Sequence, residues 1–134
     1  LPSLDGWKVV PSSPAPEADP AFDDSTWQIC DKTSSNLIPG LAAGAPSLYA
    51  DDYGFHVGHS TYRGHFIATG SEGGITLEAQ GGAAFAVSAW LNGDFLGSFV
   101  GRAAASNTVS SFAIPAGTLR PGIDNVVLVI VDNM

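Results

Sequence analysis

Three glutamates are the residues of this chain most suited to acid–base work, and their settings argue against it. Glu17 stands in a proline-rich stretch, Glu72 beside Gly73-Gly74, and Glu78 at a solvent-facing position of an alternating segment. Retaining cleavage of a glycosidic bond needs two carboxyl groups held about 5–5.5 Å apart across a sugar-sized cleft. Nothing in this spacing supplies such a pair, so no catalytic residue is assigned. The aspartates include two adjacent couples, Asp23-Asp24 and Asp51-Asp52. Neighbours on an extended chain point to opposite faces, which makes Asp51 and Asp52 a poor acid and base. In a glycine-flanked loop such carboxylates cap nearby backbone N–H groups. The sharper alternative is weak binding of a structural calcium by Asp23, Asp24, Asp51 and Asp52 with backbone carbonyls. No loop, however, has the ordered ligand spacing of an EF-hand, and no cofactor is otherwise implied.

His56 and His59 lie three apart near an expected loop-to-strand junction, and His65 follows on the strand. Without a metal-ligand pattern around them they read as ordinary hydrogen-bonded histidines rather than zinc ligands. Arg63, beside Tyr62 on the same strand, is expected to pair with one of the many carboxylates. Cys30 is the single cysteine. It excludes an internal disulfide or a thiolate cluster and reads as a small buried hydrophobe, or as a residue whose partner lies beyond these boundaries. Aromatic rings are where carbohydrate recognition would show, because sugar faces stack on exposed Trp and Tyr while polar neighbours satisfy the hydroxyls. The candidates are Tyr49, Tyr53 and Phe55, in the loop before the Tyr62 strand, and Trp90. The residues leave two uses open, a sugar platform or a surface for docking a neighbouring domain.

The elements that must position these side chains are short. With 134 residues, 45% hydrophobic and 13% charged, the chain is expected to be one packed domain spanning 1–134, with 1–6 and 11–20 as loops. No apolar run approaches the ~20 residues of a bilayer span, and Leu1-Pro2-Ser3 does not open a targeting peptide. The net charge of −8 opposes nucleic-acid binding, which needs a basic footprint. Sixteen glycines and nine prolines impose frequent turns. Trp7-Lys8-Val9-Val10 is β-prone, residues 22–27 read as a turn or helical piece with Phe22 and Trp27 inward, and Lys32 to Gly44 reads as irregular. Strands follow at 61–68, 75–80, 85–91, 94–100, 111–114 and 125–131. Asn92-Gly93 is the strongest turn signal, since both residues accept the positive φ of a two-residue hairpin. Residues 126–131 are apolar on both faces, so that strand must be covered on both sides. The sum is an all-β chain of about eight short strands, a two-sheet β-sandwich or jelly roll.

Several of these segments, in this order, carry a resemblance. Trp7, the 22–27 segment and Tyr62-Arg63-Gly64-His65-Phe66 resemble the opening of the galactose-binding-like jelly-roll domain. Trp90-Leu91-Asn92-Gly93-Asp94-Phe95-Leu96-Gly97 and Leu119-Arg120-Pro121-Gly122-Ile123-Asp124-Asn125-Val126 resemble its second half. Leu48 to Gly58 and Val131-Asp132-Asn133-Met134 are similar to one group within it. That group is the accessory jelly-roll domains, fourth or fifth in order, of fungal family-35 glycoside hydrolase β-galactosidases. The resemblance implies that catalysis belongs to a glutamate pair on a barrel outside this chain, that Trp7 and Trp27 pack the core, and that the parent enzyme is secreted. It implies a non-catalytic domain whose partners are the other domains of the parent glycoside hydrolase. A galactoside-binding module is the alternative, and a structural calcium, as in related jelly rolls, would be its only ion.

Overall fold

Short strands joined by tight turns pair antiparallel, because a two-residue connection can reverse the chain but cannot carry it back across a sheet. The computed structural model describes residues 15–35, 41 and 44–133. Among them are six strands: β1 (Gly58–Ile67), β2 (Gly74–Gln80), β3 (Phe85–Leu91), β4 (Asp94–Val100), β5 (Asn107–Ala113) and β6 (Asp124–Asn133). They form a four-stranded sheet, ordered β1-β6-β3-β4, and a two-stranded sheet of β2 and β5. The chain is therefore an all-β sandwich of two antiparallel layers. Six strands stand where about eight are expected; the Trp7 to Val10 piece, residues 1–6 and part of the Lys32 to Gly44 connection lie outside the described residues. Within the expected 11–20 loop, Pro16–Ala18 makes a single 3-10 turn, η1.

The β3–β4 hairpin turns on Asn92 (φ 51) and Gly93 (φ 93), as a two-residue turn with the sheet's own twist requires. Past the turn, Trp90 pairs with Phe95 but Ala89 pairs with Gly97, so Leu96 is the extra residue of a bulge. The bulge has a packing reason. A Cβ on Gly97 would lie 2.7 Å from the Phe112 ring of the second sheet, so the missing side chain admits that ring. Phe112 then stands 6.2 Å from Phe99, and Phe99 6.2 Å edge-on from Phe85, which locks the two layers together.

Alternation sets both faces of the larger sheet. Phe85, Val87, Ala89 and Leu91 are buried toward the small sheet. On β6, Val126 and Leu128 are buried on the opposite face, and Val127, Val129 and Val131 are half-buried beside the β3 core residues. This is what an apolar strand between two neighbours demands. The second face is covered by residues 15–27. In the register Arg63 stands opposite Leu128, and Leu128 opposite Trp90, so these three share that face.

Candidate functional site

The segment before β1 is built around a second 3-10 turn, η2 (Ala50–Tyr53), closed by Gly54 in the left-handed region at φ 84. Asp51 and Asp52 therefore do not sit on extended backbone. Three residues per turn separates their side chains around the turn axis instead, and each takes its own partner. Asp51 Oδ1 lies 2.6 Å from His56 Nδ1, and Asp52 accepts a hydrogen bond from Ser47 Oγ. Tyr53 braces the segment: its hydroxyl donates to Ser47 O at 3.0 Å and accepts from Lys32 N at 3.1 Å. The Lys32 ammonium lies 5.1 Å from the Tyr53 ring centroid and donates to Asp52 O.

Large apolar side chains stay exposed beside this turn. Phe55 is 57% exposed, Val57 88% and Leu48 61%. Phe55 and Val57 rim a groove of about 260 Å³ between this segment, residues 27–30 and the outer strand β1. Trp27, Tyr53, Tyr62 and Cys30 line it, with Gln28, His59 and Ser60 as polar neighbours. Cys30 is thus a half-buried wall of the groove and not a core residue. Burial pushes the Tyr62 hydroxyl pKa up, so it serves as a neutral hydrogen-bonding group. Tyr49 is half-buried at the N-cap of η2.

Tyr53 and Phe55 both line the groove, Tyr49 is not among its lining residues, and Trp90 lies elsewhere. It is half-buried on β3, two strands from β1, with its ring 5.2 Å from that of Phe95. The four candidate aromatics do not make one platform. Phe22 and Trp27 are half-buried and meet edge-on at 5.8 Å.

A polar cluster that the sequence did not single out lies under residues 15–27. The Arg63 side chain is 1% exposed. Its Nε donates to Glu17 O at 2.7 Å, Nη2 to Asp19 O at 2.8 Å and Nη1 to Asp24 Oδ2 at 2.5 Å, with the guanidinium 5.4 Å from the Phe22 ring centroid. Pairing of Arg63 with a carboxylate was expected; its burial was not. The available signal was an arginine in strand register with aliphatic β6, but its cover comes from about 40 residues earlier. His65 and Arg63 hydrogen bonds hold the Asp24 carboxyl below the usual carboxylate range. The Ser25 hydroxyl and N–H do the same for Asp23.

The calcium candidates are therefore divided between two segments, and Asp24 already faces the Arg63 guanidinium and the His65 imidazole. Among the described residues no group of three or more His, Cys, Asp and Glu has the arrangement of a metal site. His59 lies 3.3 Å from Asp132 Oδ1, so each histidine has a carboxylate neighbour. Glu17, Glu72 and Glu78 stand on η1, the β1–β2 loop and β2. Glu72 accepts hydrogen bonds from Thr69 N, Thr69 Oγ1 and Gly70 N, and Glu78 accepts one from Asn107.

Comparison with known proteins gives these features a setting. The family model described as the β-galactosidase second all-β domain matches residues 22–134. A β-galactosidase of Aspergillus niger is 43% identical over 137 aligned positions, covering 100% of this chain and 13% of the relative. A probable β-galactosidase B of Emericella nidulans is 45% identical over 139 positions, covering 99% and 13%. Among solved structures, β-glucuronidase 2 of Bacteroides uniformis, covalently bound to cyclophellitol-6-carboxylate aziridine, is similar with a TM-score of 0.54 and 25% identity. That match covers 88% of this chain and 12% of the other. A glycosyl hydrolase family 2 member from Bacteroides cellulosilyticus has the same TM-score at 24% identity, over 90% and 16%, a likeness of fold alone. The chain spans about 13% of the length of the curated relatives it matches.

Proposed function

This chain belongs to the β-galactosidase second all-β domain family, an accessory β-sandwich of a larger glycoside hydrolase, and from that premise we propose that its work is docking. In this reading the domain packs against the other domains of its parent polypeptide, holds them in place, and takes no part in bond cleavage. The parent is a secreted β-galactosidase, its catalytic carboxylates lie elsewhere in the polypeptide, and this domain needs no cofactor or calcium.

The observation that carries the reading is the exposed pair Phe55 and Val57 on the rim of the groove beside β1. Large apolar side chains left this exposed are costly in water, and exposed apolar surface of this kind is what a docking partner would cover. The substitution Val57→Asp with Phe55→Asp tests it in two settings. In the 134-residue chain the double variant should melt within a few degrees of wild type. In the intact parent polypeptide it should lower the melting temperature and speed proteolytic release of the domain. An unchanged intact protein would remove docking through this rim.

The polar neighbours of the groove favour one further reading, a module for galactosides. Gln28, His59 and Ser60 line the groove together with Trp27 and Tyr62, the mixture of polar and aromatic side chains that small-ligand sites combine. Against it, the Tyr53 hydroxyl already serves Ser47 and Lys32. Calorimetric titration with galactose and lactose separates the two: heat at millimolar sugar that Trp27→Ala abolishes supports the module, and its absence leaves docking alone.

A further inference from the structure

His65 lies between two carboxylates from different parts of the chain. Its Nδ1 is 2.7 Å from Asp124 Oδ2, at the start of β6, and its Nε2 is 3.0 Å from Asp24 Oδ2, in the turn that covers the sheet. The third charged group facing it is Arg63, on its own strand, with Nη1 3.2 Å from Nε2. From the three elements packed around the ring, the charges are thus two negative and one positive. A neutral imidazole leaves one negative charge uncompensated, and its single N–H can serve only one carboxylate. An imidazolium brings the cluster to neutrality and donates to both.

We propose that protonated His65 is an acid-side latch that fastens residues 15–27 to the β1–β6 part of the sheet. In the neutral ring that keeps its N–H on Nδ1 for Asp124, Nε2 can only accept from Arg63 Nη1, so the tie to Asp24 is lost. Among the described residues the side-chain hydrogen bonds from the covering turn to the sheet are then those of Arg63, and the turn opens more often. The direction of the His65 pKa agrees: hydrogen bonds to Asp124 and Asp24 raise it above the ordinary 6.5. The folded form therefore binds this proton more tightly than the unfolded chain. The latch is complete below about pH 6.5 and is lost as pH rises through the higher folded value. On the acid side the Asp24 carboxyl, lowered from 3.8, keeps its charge into the region below that value. The effect is local because His65 is 41% exposed and Asp124 51%, where solvent screens each pair.

Amide hydrogen exchange reads the opening directly. The Phe22 N–H donates to Asp19 O and the Trp27 N–H to Asp24 O, both within the covering segment. Their protection, corrected for the intrinsic pH dependence of exchange, should fall several-fold between pH 5.5 and 8.5 in the wild-type chain. In His65→Gln it should be flat and at the lower level throughout. The same profile in both proteins, or a flat wild-type profile, overturns the latch. Two further measurements keep the test independent of how well His65→Gln folds. The His65 ring, followed by NMR in the wild-type chain, should titrate above 6.5, and a midpoint at or below 6.5 overturns the proposal. Asp124→Asn should move that midpoint to lower pH, and an unmoved midpoint would do the same.

Discussion

Asn92 Nδ2 lies 2.8 Å from Asn125 Oδ1, and this bond fixes the β3–β4 turn to the start of β6. Asn92 completes the tie by donating to Thr118 O and accepting from Val126 N. Asn125 is fully buried and spends its amide on four partners: Asn92 and Arg120 N on its oxygen, Arg120 O and Ile123 O on its nitrogen. A buried amide in such surroundings leaves nothing unpaired, and its removal strands every partner.

Replacing Asn125 by Ala should therefore destabilise the chain by about 3 kcal/mol, since buried groups left unsatisfied cost more than one average hydrogen bond. Asn125→Asp should do no better. It keeps the shape but turns an oxygen toward two carbonyl oxygens. Urea unfolding at neutral pH checks both, and a loss below about 1 kcal/mol for either would show that the turn and β6 are held by strand pairing alone.

Gly101 lies tight against a second backbone segment. A Cβ there would lie 2.0 Å from Gly82 O and 2.8 Å from the Phe85 ring, and the backbone carbonyl has no side-chain freedom with which to yield. Gly101→Ala should cost about 2–4 kcal/mol by overpacking. Gly64 is the control: it lies within β1, and nothing approaches a Cβ there within 4 Å. Gly64→Ala should be neutral or stabilising by up to about 1 kcal/mol. Thermal melts of the two variants side by side test the contrast.

The contrast between what local pattern does and does not fix runs through the whole chain. The boundaries of β3 and β4 were legible because Asn92-Gly93 admits few other turns. For β2, Ile75, Leu77 and Ala79 do take the less exposed positions. The start of β5 was not legible: Asn107 to Ser110 is mostly polar, and its strand character comes from pairing with β2. Likewise η2 replaced an expected loop, because its braces are Tyr53 to Lys32 and Ser47, 21 and 6 residues away. The groove was half legible. Tyr53 and Phe55 were singled out, but Trp27 and Tyr62 join them only through tertiary packing, and no periodicity reports that.

Glu72 gives a pH dependence on the acid side. Its carboxylate accepts from Thr69 N at 2.8 Å, Thr69 Oγ1 at 2.9 Å and Gly70 N at 2.9 Å. These bonds, the Thr69 N–H foremost, lower its pKa from 4.5 to about 2. A lowered pKa means that the loop's contribution is present above 4.5 and disappears as pH falls toward 2. Glu72→Gln, whose amide nitrogen cannot accept, should lose part of that contribution at neutral pH and show a shallower fall in urea midpoint between pH 4.5 and 2. An identical acid slope in both proteins would assign the fall to other carboxylates.

Arg63 should be the least replaceable charge in the domain. Its planar fork reaches three acceptors at once, Glu17 O, Asp19 O and Asp24, while the Phe22 ring covers its face. An ammonium on a flexible stem can satisfy at most part of that set in one geometry. Arg63→Lys should cost about 2 kcal/mol, and Arg63→Met about 3–5 kcal/mol, because it strips Asp24 of a buried partner. The loss should also be regional: exchange protection at Phe22 and Trp27 should collapse first, while Leu91 and Asn92 in the hairpin keep theirs until global unfolding. Uniform loss of protection in Arg63→Lys would mean that residues 15–27 are part of the cooperative core and not a separable cover upon it.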